Sequence, residues 1–174
     1  MNIRSRDLGE TRKSSELKKM MLDSRFRPAI TVASVIERNG SFLMVEEEVD
    51  DQILINQPAG HLEPSESLVS AAIRETREET GWEINVNYLL GIQLLEKENP
   101  LEAFMRFSFA ATTKRKIEGS VLDEGIIRAL WLPLEEIKSS CAIHRSPLVM
   151  DSIRLFQSGV RYPVEVLDGP SRRA

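Results

Sequence analysis

Apolar residues in this chain gather into short dense runs more often than they follow a helical spacing. Ala29–Ile36 (AITVASVI) is an unbroken run rich in β-branched residues, the pattern of a strand covered on both faces. Asn39–Gly40 is a hairpin signal, and Ser41–Glu46 (SFLMVE) is the strand returning from it. The acidic stretch Glu46–Asp51 reads as a solvated loop, because charge runs usually lie at the surface, with ligand acids as the alternative, and Gln52–Asn56 (QILIN) as a short strand after it. Further on, Glu83–Leu95 alternates with an interruption at Gly91 that suggests a bend or bulge. Glu102–Thr112 (EAFMRFSFAAT) and Ile126–Leu132 (IIRALWL) complete the strands. Helical spacing belongs to one long segment, Glu66–Thr80, and to two short ones near the end. Leu134–Lys138 is opened by Pro133, and Leu148–Phe156 follows Ser146–Pro147 and stops before Ser158–Gly159. Residues 1–27 form a polar arm whose apolar members are Leu17, Met20, Met21 and Phe26, and residues 166–174 a loose tail. The expectation is one domain over residues 28–165, of α/β (α+β) class, with strands dominating and one long helix in the middle.

That helix carries the chemistry. Ser65 is placed to cap it, Glu66 to sit in its first turn, and Gly81 to end it. At 100° per residue from Glu66, Leu68, Val69, Ala72, Ile73 and Thr76 share a buried stripe, while Glu75, Glu78 and Glu79 fall at roughly 180°, 120° and 220°. The three carboxylates therefore cluster beside the apolar stripe and partly overlap it. Such charges repel by a few tenths of a kcal/mol per pair in water, and more at the edge of a buried face. A divalent cation relieves that repulsion, and hard ions such as Mg²⁺ and Mn²⁺ take oxygen ligands. A solvated acidic face is the plain alternative.

Composition narrows the field without choosing a function. At 174 residues, 41% hydrophobic and 29% charged, the chain suits one ordinary soluble domain. A net charge of −4 provides no basic footprint for nucleic acid. Cys141 is the single cysteine, so no internal disulfide forms. No apolar run reaches the roughly 18–20 residues of a membrane span, and the N-terminus lacks a secretory apolar centre. The expected setting is cytoplasmic.

Spacing then separates the alternatives. Gly60 is followed by five residues and Glu66, then seven residues and Arg74-Glu75-Thr76, one residue and Glu78-Glu79, one residue and Gly81, then apolar Trp82. Chance agreement with such a pattern is on the order of 10⁻⁸ per start point at ordinary residue usage. The pattern resembles the signature of the Nudix hydrolases at every position. The resemblance implies a Nudix fold, a mixed β-sheet sandwiched between α-helices. It also implies divalent-metal-dependent hydrolysis of a diphosphate linked to another moiety, with Mg²⁺ (or Mn²⁺) as cofactor. It casts Glu75 and Glu79 as principal metal ligands and Glu78 as a ligand or water-orienting group. A backbone carbonyl at Ala59 or Gly60 would complete the shell, Arg74 would orient a glutamate, and Glu66 would be structural. Ala59 departs from the second glycine that many members carry. In this superfamily the general base is a glutamate of the signature or an acid from a distant loop, here Asp123 or Glu124.

Outside the signature, ITVASVI, VEEE, NQPAGHLEPSE, RSPLV, SIRLFQSG and RYP are similar to the phosphatase NudJ branch of the family. That branch implies stepwise hydrolysis of nucleoside tri- and diphosphates, and of hydroxymethylpyrimidine diphosphate and thiamine diphosphate. Other Nudix specificities (ADP-ribose, RNA 5′ ends) and a binding-only Nudix domain are the alternatives. For substrate contacts the candidates are Gln57 for a base or pyrimidine edge, His61 for a phosphate and Arg145 for a diphosphate. Arg154 and Arg161 are weaker candidates of the same kind, Phe104 and Phe107 could stack a ring, and Trp131 belongs to the core. The expected partner is a small-molecule nucleotide or pyrimidine diphosphate, with no nucleic acid and no membrane. Monomer and homodimer both stay open.

Overall fold

The computed structural model describes residues 27–96 and 103–167. The expected arm, apart from Arg27, and the tail beyond Leu167 lie outside those residues. The strands are β1 (Ala29–Arg38), β2 (Ser41–Val49), β3 (Gln52–Asn56), β4 (Ala59–His61), β5 (Trp82–Glu96), β6 (Ala103–Lys116) and β7 (Ile126–Pro133). The helices are α1 (Leu68–Thr80), α2 (Leu134–Ser139) and α3 (Leu148–Gln157), with short 3₁₀ turns at Cys141–Ile143 and Val164–Val166.

The seven strands form one mixed sheet. β1 lies between β4 and β6, antiparallel to the first and parallel to the second, and β5 closes that side against β6. The tip of β1 hands over to β2 through the Asn39–Gly40 hairpin, and β2 in turn lies between β3 and β7. Both turn residues have positive φ, 53° and 82°, as a tight primed turn requires. Neighbours in sequence fall on opposite faces. Val32, Leu89 and Phe109 pack under α1 with Ala71 and Ala72. Val35, Leu90 and Ala110 pack under α3 with Val149 and Ile153. The sheet is thus sandwiched between helices, and β1 is fully buried at Val32, Ala33 and Val35. This matches the expected fold class. Trp131 packs at the far end, its ring 6.3 Å from that of Trp82.

Three expectations change. The acidic stretch is not a loop: β2 runs to Val49, and Glu46, Glu47 and Glu48 pair with Ile55, Leu54 and Ile53 across the ladder to β3. Strand alternation makes that possible, because Glu46 turns outward to Arg128 at 2.6 Å while Glu47 turns inward. The connection shrinks to Asp50–Asp51, both at positive φ, which aspartate tolerates better than most residues. Second, α1 starts later than the sequence suggests. Ser67 is the N-cap, its Oγ accepting from Ser70 N at 3.1 Å. Ser65 sits at φ 69°, outside the helix, and Glu66 precedes the cap. Third, the buried stripe of α1 is Ala71, Ala72, Glu75, Thr76, Glu79 and Thr80, and Ile73 is exposed. Small residues let α1 approach β1 closely, and Thr76 Oγ1 lies 2.7 Å from Ala72 O, to which it donates, and 2.9 Å from Ser34 Oγ, from which it can accept. That contact rolls the glutamates toward the sheet instead of leaving them at its margin. At Gly91 the expected irregularity is a register shift within one long β5.

Candidate active site

α1 carries its carboxylates onto the rim and wall of a cavity of about 380 Å³. Glu75 and Glu79 line the wall beside β4, with Ala59 and Gly60. Gly60 is required there: a Cβ added to it would fall on the Glu75 carboxyl group. Ala59 N–H donates to Glu79 Oε2 at 2.8 Å and fixes the inner carboxylate. Beyond the end of α1, the backbone N–H of Asp123 donates to Glu78 O at 3.2 Å, so the loop before β7 docks on the helix. Carboxylate oxygens of Glu75, Glu78 and Asp123 then lie within 4.8 Å of one another.

Arg74 organises the outer part of this cluster. Its Nε and Nη2 hold the two oxygens of Glu66 at 3.2 and 2.7 Å, and Nη2 also donates to His61 O at 3.0 Å. Its Nη1 donates to Glu75 Oε1 at 2.9 Å and to Glu78 Oε2 at 3.1 Å. Glu66 Oε1 additionally accepts from Glu63 N at 2.8 Å, which ties the loop before the helix to the same guanidinium. A planar five-donor group can serve so many acceptors at once; an ammonium cannot. The Arg74 guanidinium holds the Glu66 carboxyl below the usual carboxylate range. Burial does the reverse inside, raising Glu75 and raising Glu79 well above that range. Three oxygen donors within reach of one point, and a glycine cradle that leaves Glu75 its room, suit a hard divalent cation. Glu79 lies deeper and outside that group of three.

The rest of the cavity comes from the sheet and the start of α3. Thr31, Glu47, Asn56 and Arg106 line its floor, with Arg145 and Ser146 from the loop before α3. Arg106 is 7% exposed, and its Nε and Nη1 have no hydrogen-bond partner. Burial pulls its guanidinium down to about 10, so it remains a cation at neutral pH, favoured by the charges of Glu47 and Glu79. Arg145 Nε stands 3.7 Å from Glu47 Oε1. Leu95, Phe104 and Leu148 supply the apolar part, and the His61 ring is 6.3 Å from that of Phe104.

Of the sequence candidates, the structure gathers Glu75, Glu79, Gly60, His61 and Arg145 around the cavity, with Glu78 and Arg74 joined to Glu75. Gln57 does not line it. It is 1% exposed and donates to Val149 O at 2.7 Å, beneath α3. Glu124 is exposed and outside the carboxylate group, where its neighbour Asp123 stands instead. Arg154 pairs with Asp151 and Arg161 donates to Phe156 O, neither of them at the cavity. Arg106 was not expected, and Glu47 was weighed only as one of a run of acids in a solvated loop. The signal for Arg106 is a lone cation inside the apolar run EAFMRFSFAAT; for Glu47 it is an acid at the inward position of a strand that reads as a loop.

Comparison with known proteins identifies the family. The NUDIX domain family profile matches residues 25–151. The chain is 41% identical over 144 residues to the phosphatase NudJ of Escherichia coli strain K12, spanning 82% of this chain and 92% of that protein. A NUDIX hydrolase from Nitrosomonas europaea superposes with a TM-score of 0.81 at 39% identity, covering 84% of this chain and 100% of that one. An ADP-ribose pyrophosphatase from Streptococcus suis, with a TM-score of 0.58, 16% identity and coverage of 77% and 94%, shares the fold. The signature on α1, the sheet that carries it and these similarities together place the chain in the Nudix hydrolase family.

Proposed function

We propose that this Nudix hydrolase is a Mg²⁺-dependent phosphatase. Its substrates are nucleoside tri- and diphosphates, together with hydroxymethylpyrimidine diphosphate or thiamine diphosphate. The observation that carries the reading is the position of Glu75, which belongs both to the group of three carboxylates and to the wall of a cavity floored by Arg106. A diphosphate reaching that wall meets acids able to hold a cation and guanidinium groups able to meet phosphate oxygens. The 41% identity to a NudJ phosphatase supports the branch.

Glu75, Glu78 and Asp123 would hold the cation. When bound, Mg²⁺ (or Mn²⁺ in its place) supplies charge neutralisation for phosphate oxygens and makes water more acidic. Arg74 keeps Glu75 and Glu78 aimed at one point, and Glu66 and His61 O keep Arg74 in place. Arg74 does not bond Asp123, which leaves that carboxylate, one of the two loop acids (Asp123 and Glu124) weighed for the role from sequence, to take the proton of the attacking water through the oxygen not turned to the cation. Glu79, fixed by Ala59 N–H, faces the inner phosphate side. Arg145 lines the same cavity beside Glu47 and meets the outer phosphate. No described helix is long and apolar enough to cross a membrane, in keeping with action on dissolved cytoplasmic diphosphates, by a monomer or homodimer.

A substrate panel tests the proposal by phosphate release. Nucleoside triphosphates and hydroxymethylpyrimidine diphosphate should be hydrolysed with Mg²⁺ and not with excess chelator. Turnover of ADP-ribose alone would refute the assignment.

A further inference from the structure

One end of the sheet carries an apolar surface that the active site does not use. On the face under α1, Val32 of β1 aligns with Phe107 of β6 and Ile92 of β5, and Ile30 aligns with Met105 and Leu94. Residues opposite one another across a ladder share a face, so these side chains form one block. α1 covers Val32 with Ala71 and Ala72. The cover stops there. Ile30, Ile92 and Leu94 are 40%, 55% and 51% exposed, and Met105 and Phe107 are half-buried. Val164 and Leu167 reach the same cluster from the C-terminal side and still leave those three open. β5 is moreover an edge strand, and sheets generally cover or blunt an apolar edge. A contiguous exposed patch of this kind marks an interaction.

The arm that precedes β1 has the matching pattern and starts beside the patch. Its residues 1–26 run into Arg27 and Pro28, next to Ile30. Leu17, Met20 and Met21 recur at i, i+3 and i+4 after the capping residues Ser14 and Ser15, so a helix there presents all three within about 100°. So short a helix is not stable alone in water and needs a surface for its apolar side. β5 lies two strand spacings from β1, about 10 Å. The chain from Met20 to Arg27 extends to about 23 Å, which is ample. Charge agrees as well. Residues 1–26 hold seven Lys and Arg against four Asp and Glu, while the whole chain stands at −4, so the arm is positive and the remainder negative. Exposed Glu63 and Glu96 stand at the rim, one following Leu62, whose N–H donates to Ile30 O, the other two residues beyond Leu94. Residues 1–24 lie outside the match to the family profile, so this segment is an addition to the shared hydrolase domain.

We propose that the apolar side of the arm, Leu17, Met20 and Met21, docks on Ile30, Ile92 and Leu94 and closes the open end of the sheet.

Disulfide trapping in the full chain tests this, with Cys141, the exposed native cysteine, changed to serine and oxidised glutathione as the oxidant. Met20→Cys with Leu94→Cys is compared with Lys19→Cys with Leu94→Cys. The two arm positions are adjacent and have the same reach, but Lys19 lies roughly 150° from the middle of the stripe. The Met20 pair should close within one chain at least about 10-fold faster, because only the docked side is held at bonding distance. Equal rates, the mark of a tether that visits the patch without docking, would overturn the proposal, as would no bond at all. Bonds between chains, faster at higher protein concentration, would assign the patch to a second copy instead. A second measurement needs no new cysteine. Leu17→Ser with Met20→Ser and Met21→Ser should lower the urea midpoint, and so should Ile92→Ser with Leu94→Ser. All five together should lower it by clearly less than the sum, because either set alone already abolishes the contact. Additive losses, or no loss from the arm set, count against docking. Sedimentation of the full chain with vesicles of phosphatidylserine and phosphatidylcholine, abolished by the arm set, would give the stripe to a membrane surface and overturn docking too.

Discussion

Gly60→Ala would set a methyl group on the carboxyl carbon of Glu75, a residue that is 8% exposed and held by Arg74 on its other side. The carboxylate has to move, and it can only move out of the group it forms with Glu78 and Asp123. Displacing a ligand or its support typically lowers metal affinity or activity about 10–100-fold. The variant should therefore show at least about 10-fold lower kcat/KM and a matching weakening of divalent-cation binding by titration, with kcat/KM unchanged as the contrary result. The spacing of Gly60, Arg74, Glu75, Glu78 and Glu79 was legible because it is local: a loop and one helix fix it. Arg106 and Glu47 were not, because they meet only when β6 and β2 are assembled into one sheet. Alternation in EAFMRFSFAAT draws notice to its aromatic residues, of which Phe104 lines the cavity, but Arg106 reaches the cavity too, on the same face of β6. Gln57 shows the converse. Its sequence position beside the signature loop suggested a substrate contact, but its side chain turns beneath α3 to meet Val149 O.

At the scale of the element, α1 is defined by a cap and a polar seam. Ser67 accepts from Ser70 N and closes the N-terminus. Thr76 joins Ser34 on β1 in the buried seam. A serine cap removed to alanine costs about 1 kcal/mol, so Ser67→Ala should lower unfolding free energy by about that much in urea, whereas Ser65→Ala should leave it nearly unchanged. The reverse ranking would mean that the helix begins where the sequence alone places it. That placement failed for a physical reason. Glu66 suits a first turn by charge, but Arg74, two turns into the helix, and Glu63 N, in the loop before it, both engage its side chain. The Glu63–Ser65 segment therefore turns first, with Ser65 at positive φ. The acidic strand end was misread in a similar way. Charge suggested solvent, but Arg128 answers Glu46 from β7 and the cavity receives Glu47. The strands flanking the cavity were otherwise legible from their β-branched and aromatic runs, because burial on both faces leaves so strong a pattern.

Across the whole molecule, the buried carboxylates make stability depend on pH and on the cation together. Burial raises Glu75 and raises Glu79 well above the ordinary value of 4.5. Without metal the folded state binds more protons than the unfolded chain above pH 4.5. The stability these groups contribute is therefore complete below that pH and is lost as pH rises through their folded values. Glu66 and Glu46, both lowered by arginine partners, act oppositely: their contribution is present above 4.5 and lost as pH falls below it. His144, lowered by burial, also opposes, losing stability as pH falls below 6.5. Comparing the unaltered protein with Glu79→Gln cancels the other groups. With chelator present, the variant should gain stability relative to the unaltered protein steadily as pH rises from 5 toward 8, measured by urea unfolding. A saturating divalent cation should stabilise the unaltered protein, by about 2.7 kcal/mol at 100 times its dissociation constant, and should flatten its pH dependence. It should do less for Glu79→Gln, whose neutral amide repels neither Glu75 nor Glu47. A stability difference independent of pH would show that Glu79 is already ionised in the folded chain. The field of neighbouring carboxylates would then need a compensating cation other than a metal, and Arg106, buried among the same acids, would supply it together with Arg145 at Glu47 and Arg74 at Glu75.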